Sequence, residues 1–171
     1  MNKKILFLLI ALLAVVIYWS YTQDGTNGGY NLVGKPAPDF TLQDEKGDTI
    51  RLSRYRGKVV LVHFWAAWCP PCVEEFPSLD KMVKKFDPEK FVFLPVSVDE
   101  EGINAIREFR KRVSFDFPVV LNPKTDVADA YGTYSLPTSF LIDKNGTVVK
   151  KISGPQDWEQ ARWEGMIRKL L

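Results

Sequence analysis

Metal-ligating residues are scarce in this chain: two cysteines and one histidine in 171 residues. A closed structural zinc site takes about four nitrogen or sulfur ligands. One chain is therefore poorly equipped to build one, and no metal is expected. Haem attachment needs a histidine directly after the second cysteine, and Val73 stands there. Charge of one sign is missing too. A net charge of +2 lacks the basic footprint of a nucleic-acid-binding domain. Internal repeats and low-complexity tracts are absent. With 46% hydrophobic and 26% charged residues, the chain has the composition of a packed domain.

The cysteine that is present is concentrated. Cys69 and Cys72 stand three positions apart in Trp-Cys-Pro-Pro-Cys. A disulfide closing so small a loop constrains the unfolded chain little. A redox pair therefore explains the spacing better than a structural staple.

Long apolar runs are confined to the amino terminus. Lys3 and Lys4 precede Ile5–Trp19, which no charge interrupts, and Tyr18, Trp19 and Tyr21 close it as interfacial aromatics do. Counted through Tyr21 the run has 17 residues, at the short limit for a spanning helix. Residues 1–22 read as an uncleaved anchor in the lipid bilayer, with a cleaved signal peptide and secretion as the alternative. Lysines before the span keep the amino terminus cytoplasmic and place the rest on the extracytoplasmic face. No cysteine near the end of the run offers a lipid attachment point. Residues 23–31, rich in Gly, Asn and Asp, read as a linker, and the domain as 32–171.

Within the domain, strand and helix patterns alternate. Phe40–Leu42 and Thr49–Leu52 flank the turn Glu45-Lys46-Gly47-Asp48. Val59–Trp65 is apolar apart from His63, the pattern of a strand buried on both faces. From Pro71 to about Phe86 the spacing is helical, with Pro77 inside it. Further strands are expected at Phe91–Val98, Pro118–Leu121, Thr138–Ile142 and Thr147–Ile152, the last two joined at Asn145-Gly146. Further helices are expected at Ile103–Val113, with Arg110 in phase with its apolar stripe, at Asp126–Tyr131 and at Trp158–Leu171. This order gives an α/β sandwich with a mixed sheet. The cysteines fall at the carboxyl end of a central strand, where open α/β sheets carry their sites.

That location suits thiol chemistry. The thiolate is the nucleophile, and a helix amino terminus favours the anion. Cys69 should lie at that end and attack. Cys72, one turn in, should be more buried and resolve the mixed disulfide. Pro70 and Pro71 suit the first helical turn, and they push Cys69 towards an extended backbone. Neither offers an N–H to a thiolate. Glu75, three residues after Cys72, shares its helix face and could exchange a proton with it, or could be a solvated carboxylate. His63 could exchange protons near Cys72, or could be a hydrogen-bonded core histidine.

Phe64-Trp65-Ala66-Ala67-Trp68-Cys69-Pro70-Pro71-Cys72 resembles the thioredoxin-superfamily signature, and is most similar to membrane-anchored oxidoreductases of the TlpA/ResA type. Gly34–Phe40, Glu75-Phe76-Pro77 and Leu136-Pro137-Thr138 resemble that family's domain opening, post-cysteine segment and cis-proline loop. The resemblance implies a thioredoxin-like three-layer α/β/α sandwich with an amino-terminal hairpin and a helix–strand insertion at Ile103–Leu121. It implies a partner surface drawn from Trp68, Pro70, Pro71, Leu136, Pro137 and Thr138. It implies disulfide exchange with protein thiols, without a cofactor. The reductive form of that role would serve apocytochrome c thiols, with electrons from a transmembrane thiol-reductant protein. It implies a proton-transfer role for Glu75, which reductive members carry at this place. His63 departs from it: thioredoxins hold a buried acid here, and TlpA-type proteins often a polar neutral residue. Three other functions compete: general disulfide exchange in stress repair, a thiol peroxidase, and a tethered module with an inert cysteine pair. The peroxidase lacks its Pro-x-x-x-Thr-x-x-Cys segment, since Val62 and Ala66 occupy those places.

The missing donors make a measurable difference. Pro70→Gly adds an N–H near the Cys69 thiolate, so its reduction potential should rise by on the order of 30 mV, about one charge-assisted hydrogen bond. A potential that is unchanged or lower, by equilibration with glutathione, would show that the prolines do not act through donors.

Overall fold

The computed structural model describes residues 12, 13 and 31–171. Nearly all of the expected anchor and linker lies outside them. Among the described residues no helix is long and apolar enough to cross a membrane.

The domain opens with an antiparallel hairpin, β1 (Thr41–Asp44) and β2 (Thr49–Arg51). The Asp44 carboxylate accepts from the N–H groups of Lys46 and Asp48, which closes the turn. A single 3-10 turn, Leu52–Tyr55, leads to β3 (Val59–Trp65), buried along its whole length. Next come α1 (Pro70–Val83), β4 (Phe91–Ser97), α2 (Ile103–Arg110), β5 (Val120–Leu121) and α3 (Asp126–Ala130). The chain ends with β6 (Thr138–Ile142), β7 (Val148–Ser153) and α4 (Ala161–Arg168). The described strands form one sheet in the order β2-β1-β5-β4-β3-β6-β7. β3, β4 and β5 run parallel, whereas β6 is antiparallel to β3 and β1 to β5, so the sheet is mixed as expected.

Strand parity divides the core. Val59, Leu61 and Trp65 point to the side of α1, α2 and α4, where they meet Phe76, Leu79, Phe109 and Trp163. Val60, Val62 and Phe64 point to the other side, where they meet Leu52, Val127 and Tyr131. Helical elements therefore cover both faces of the sheet, giving the three-layer sandwich.

Several elements end earlier than their apolar spacing implies. α1 stops at Val83, ahead of Asp87-Pro88, although Phe86 is still buried; a proline disfavours helix at the residue before it. α2 stops at Arg110 rather than Val113. Arg110 is not on an apolar stripe: its guanidinium pairs with Glu45 (Nη2···Oε1 2.6 Å) and donates to the carbonyls of Phe115 and Phe117. The expected strand from Pro118 shrinks to Val120–Leu121. The last helix begins at Ala161 rather than Trp158, because Trp158 enters the core ahead of it. Pro77 lies inside α1 without ending it.

Phe76 is the centre of the aromatic packing under α1. Its ring lies 4.4 Å from that of Trp65, with Phe109, Phe115 and Phe117 at 5.4, 5.1 and 5.5 Å between centroids. Phe76→Ala should cost about 3–5 kcal/mol of stability, read from denaturant unfolding with the disulfide intact; a loss under ~1 kcal/mol would mean the site collapses to fill the gap.

Candidate active site

The cysteines sit where β3 ends and α1 begins. Cys69 caps the helix with an extended backbone (φ −95°, ψ 101°), and Pro70 and Pro71 fill its first turn, both exposed. Cys69 and Cys72 are joined in a disulfide with their Cα atoms 5.3 Å apart. The Cys69 carbonyl accepts from the N–H groups of Cys72 and Val73. Cys72 is fully buried and Cys69 keeps 5% of its surface. Cys69 is thus the slightly more exposed of two buried cysteines.

The loop before Cys69 is held from β4. Asp99, only 1% exposed, accepts from the Ala67 N–H with both carboxylate oxygens (3.1 and 2.9 Å) and from the Ser97 hydroxyl (2.7 Å). The sequence reading missed Asp99. Its one signal is position: β4 is parallel to β3, so residues just past its end lie beside the loop that follows β3.

A second loop reaches the same rim. The Leu136–Pro137 bond is cis, and Thr138 pairs with Phe64 near the end of β3. Leu136 packs against the cluster that contains both cysteines. Leu136 and Trp68 also line one groove of about 580 Å³, with Tyr134, Glu100, Glu101 and Asp129. Trp68 and Tyr134 are 66% and 74% exposed, which leaves two aromatic faces for a partner. Pro137 and Thr138 are buried; the Thr138 hydroxyl donates to Ser135 O (2.7 Å) and so braces the loop. Trp65 is a core residue.

Glu75 and His63 meet in the interior, one from α1 and the other from β3. Glu75 is on the buried face of α1 with Cys72, and is 4% exposed. It is not a solvated carboxylate. Its Oε2 accepts from the Gln156 N–H (3.0 Å) and the Trp158 indole N–H (2.9 Å). Its Oε1 lies 3.2 Å from Nε2 of His63, which has no exposed surface. His63 Nδ1 lies 2.8 Å from the Ser139 hydroxyl. A shallow cleft of about 380 Å³, lined by Glu74, Ser78, Pro155, Gln156 and Asp157, opens onto Glu75 from solvent. Burial pushes Glu75 up to about 7, opposed by its two hydrogen bonds, and pushes His63 down to about 3.

A buried redox pair at a helix start, beside a cis-proline loop on an α/β sandwich, defines a thiol–disulfide oxidoreductase of the thioredoxin superfamily. Comparison with known proteins agrees. Residues 33–151 match the AhpC/TSA family. The chain is 39% identical over 162 residues to the thiol-disulfide oxidoreductase ResA of Geobacillus thermodenitrificans, covering 95% of this chain and 91% of that one. It is 42% identical over 121 residues to ResA of Bacillus subtilis, covering 71% and 67%. A Chlorobium tepidum crystal structure described as a thiol:disulfide interchange protein DsbE superposes with a TM-score of 0.74 at 34% identity, covering 81% and 96%. StoA from Bacillus subtilis superposes at 0.64 with 27% identity, covering 75% and 97%. The chain belongs to the AhpC/TSA family, within its ResA/TlpA-type thiol–disulfide oxidoreductases.

The Glu75–His63 pair has a signature in stability. Glu75 holds its proton in the fold between its ordinary value of 4.5 and about 7, so its contribution is complete below 4.5 and lost as pH rises towards 7. His63 stays neutral in the fold between about 3 and its ordinary 6.5, so its contribution is complete above 6.5 and lost as pH falls towards 3. The two slopes cancel between 4.5 and 6.5. Glu75→Gln removes one of them. Denaturant unfolding should show the variant gaining stability on the wild type as pH rises from 4.5 to 7; a pH-independent difference would mean that the carboxyl is not held protonated.

Proposed function

We propose that this enzyme reduces disulfides in partner proteins on the extracytoplasmic side of a membrane, to which residues 1–22 anchor it. The observation that carries the exchange chemistry is the asymmetric Cys69–Cys72 pair at the start of α1, next to a groove with exposed aromatic walls. The apolar run behind two lysines supports the location. The ResA and DsbE relatives support disulfide exchange, and the TlpA/ResA resemblance supports the reductive direction and apocytochrome c thiols as the partner. A transmembrane thiol-reductant protein would then return two electrons to the Cys69–Cys72 disulfide.

In the reductive half-reaction the Cys69 thiolate attacks one sulfur of the partner disulfide. A mixed disulfide forms, and the other partner sulfur leaves as a thiolate. Cys72 then gives its proton to Glu75, and its thiolate attacks the Cys69 sulfur. That step forms the Cys69–Cys72 bond, breaks the bond to the partner and releases a second thiolate. Both partner thiolates take up protons, one of them from Glu75. Two electrons have passed from the enzyme to the partner. A carboxyl poised near neutrality suits the transfer, because it can both accept and return the proton. Trp68 and Leu136 offer apolar contact to the partner segment beside the attacked bond.

Trapping tests this reading. Cys72→Ser removes the resolving thiol, so partners should accumulate as mixed disulfides on Cys69 in membranes of cells making the full chain. Mass spectrometry should identify cysteine-pair proteins of the extracytoplasmic side, haem-binding polypeptides among them. Recovery of cytoplasmic partners alone, or of none, would count against the proposal.

A further inference from the structure

The register of the sheet sets His63 directly opposite Ser139 on β6. Both residues are buried, and among the described residues the Ser139 hydroxyl has one hydrogen-bond partner, Nδ1 of His63. A buried hydroxyl needs an acceptor for its hydrogen. Here that acceptor is a bare Nδ1, so the ring proton resides on Nε2. Nε2 then presents an N–H towards Oε1 of Glu75, 3.2 Å away. Among the described residues neither atom makes an aligned hydrogen bond, with the other or with any third group, so the two face each other as an N–H dipole and an acceptor in close contact. The other oxygen of Glu75 is already held by two N–H donors.

Every group that addresses this carboxyl therefore offers a hydrogen, which satisfies a carboxylate. A protonated Oε1 would set its O–H against an N–H. Relief requires the ring proton to move to Nδ1, and that leaves the Ser139 hydroxyl without an acceptor. We propose that His63, with its tautomer held by Ser139, is a positioning residue that weakens Glu75's hold on its proton and so sets the pH at which Cys72 resolves the mixed disulfide. The inference rests on Glu75 acting as the proton acceptor for Cys72. Burial alone drives the carboxyl towards permanent protonation, and His63 opposes it.

Few other charges act on the pair. α1 presents Cys72, and Glu74 lies with Asp157 along the cleft. β4 presents Phe93, 6.0 Å from the imidazole, and β6 presents Ser139. Arg162 lies behind Gln156, bonded to its side-chain oxygen.

The test uses the full chain, reduced and in detergent, mixed with dithiobis(nitrobenzoate). The first nitrothiolate released reports attack by Cys69, and the second reports resolution by Cys72. His63→Phe keeps an aromatic ring but loses both nitrogens, and should raise the pH midpoint of the second release by about one unit. His63→Gln supplies an N–H without titrating, and should restore the midpoint. A His63→Phe midpoint equal to wild type, or no rescue by Gln, would overturn the proposal. If Glu75→Gln keeps the wild-type pH dependence, it is the proton-acceptor reading that fails. Should His63→Phe not fold, nitrogen NMR of the wild-type imidazole decides the matter. The proposal requires a protonated Nε2 and a bare Nδ1 above the Glu75 titration, and a proton on Nδ1 there overturns it.

Discussion

Everything at the active site depends on the burial of β3 from both sides. Seven buried residues must send alternate side chains into two separate cores. That parity places Leu61, His63 and Trp65 under α1, and Val60, Val62 and Phe64 on the opposite face. A shift of one residue would exchange the two sets and take the imidazole away from α1. The strand's end then fixes where α1 starts, and with it the position of Cys69.

Two carboxylates are buried near that end, and they are handled in different ways. Asp99 is filled by hydrogen bonds and works as an anchor, tying the cysteine loop to β4. Glu75 has donors too, but its Oε1 faces a histidine and a solvent cleft opens beside it. The first arrangement holds a loop in place. The second leaves a proton exchangeable. Glu75 shares the buried face of α1 with Cys72, and the proposed proton transfer rests on that arrangement.

Local chemistry was the readable part of the chain. Cys69 to Cys72, the double proline at the helix start, the two hairpin turns and the parity of β3 are each written in a few neighbouring residues. The features that were not readable join distant segments. Asp99 looks like any acid after a strand until β4 is laid beside β3. Trp158 reads as the first turn of a helix, yet its indole N–H crosses to α1. Ser139 is one small polar residue in a strand until register sets it opposite His63. Arg110 has the spacing of a core residue, but a guanidinium with Glu45 and two carbonyls in reach has better partners than an apolar stripe. In each case a tertiary hydrogen bond outweighed a local pattern.

The groove's two sides come from different stretches of the chain. Trp68 belongs to the cysteine loop, whereas Asp129, Tyr134 and Leu136 come from α3 and the loop after it, more than fifty residues further on. Among the described residues no hydrogen bond ties Glu75 or His63 to that second stretch, although Leu136 packs against the cluster that holds both cysteines. Changes at Asp129 or Tyr134 can therefore reshape the groove for a different client without touching the contacts of Glu75 and His63. The fold works as a largely fixed tool with an exchangeable handle.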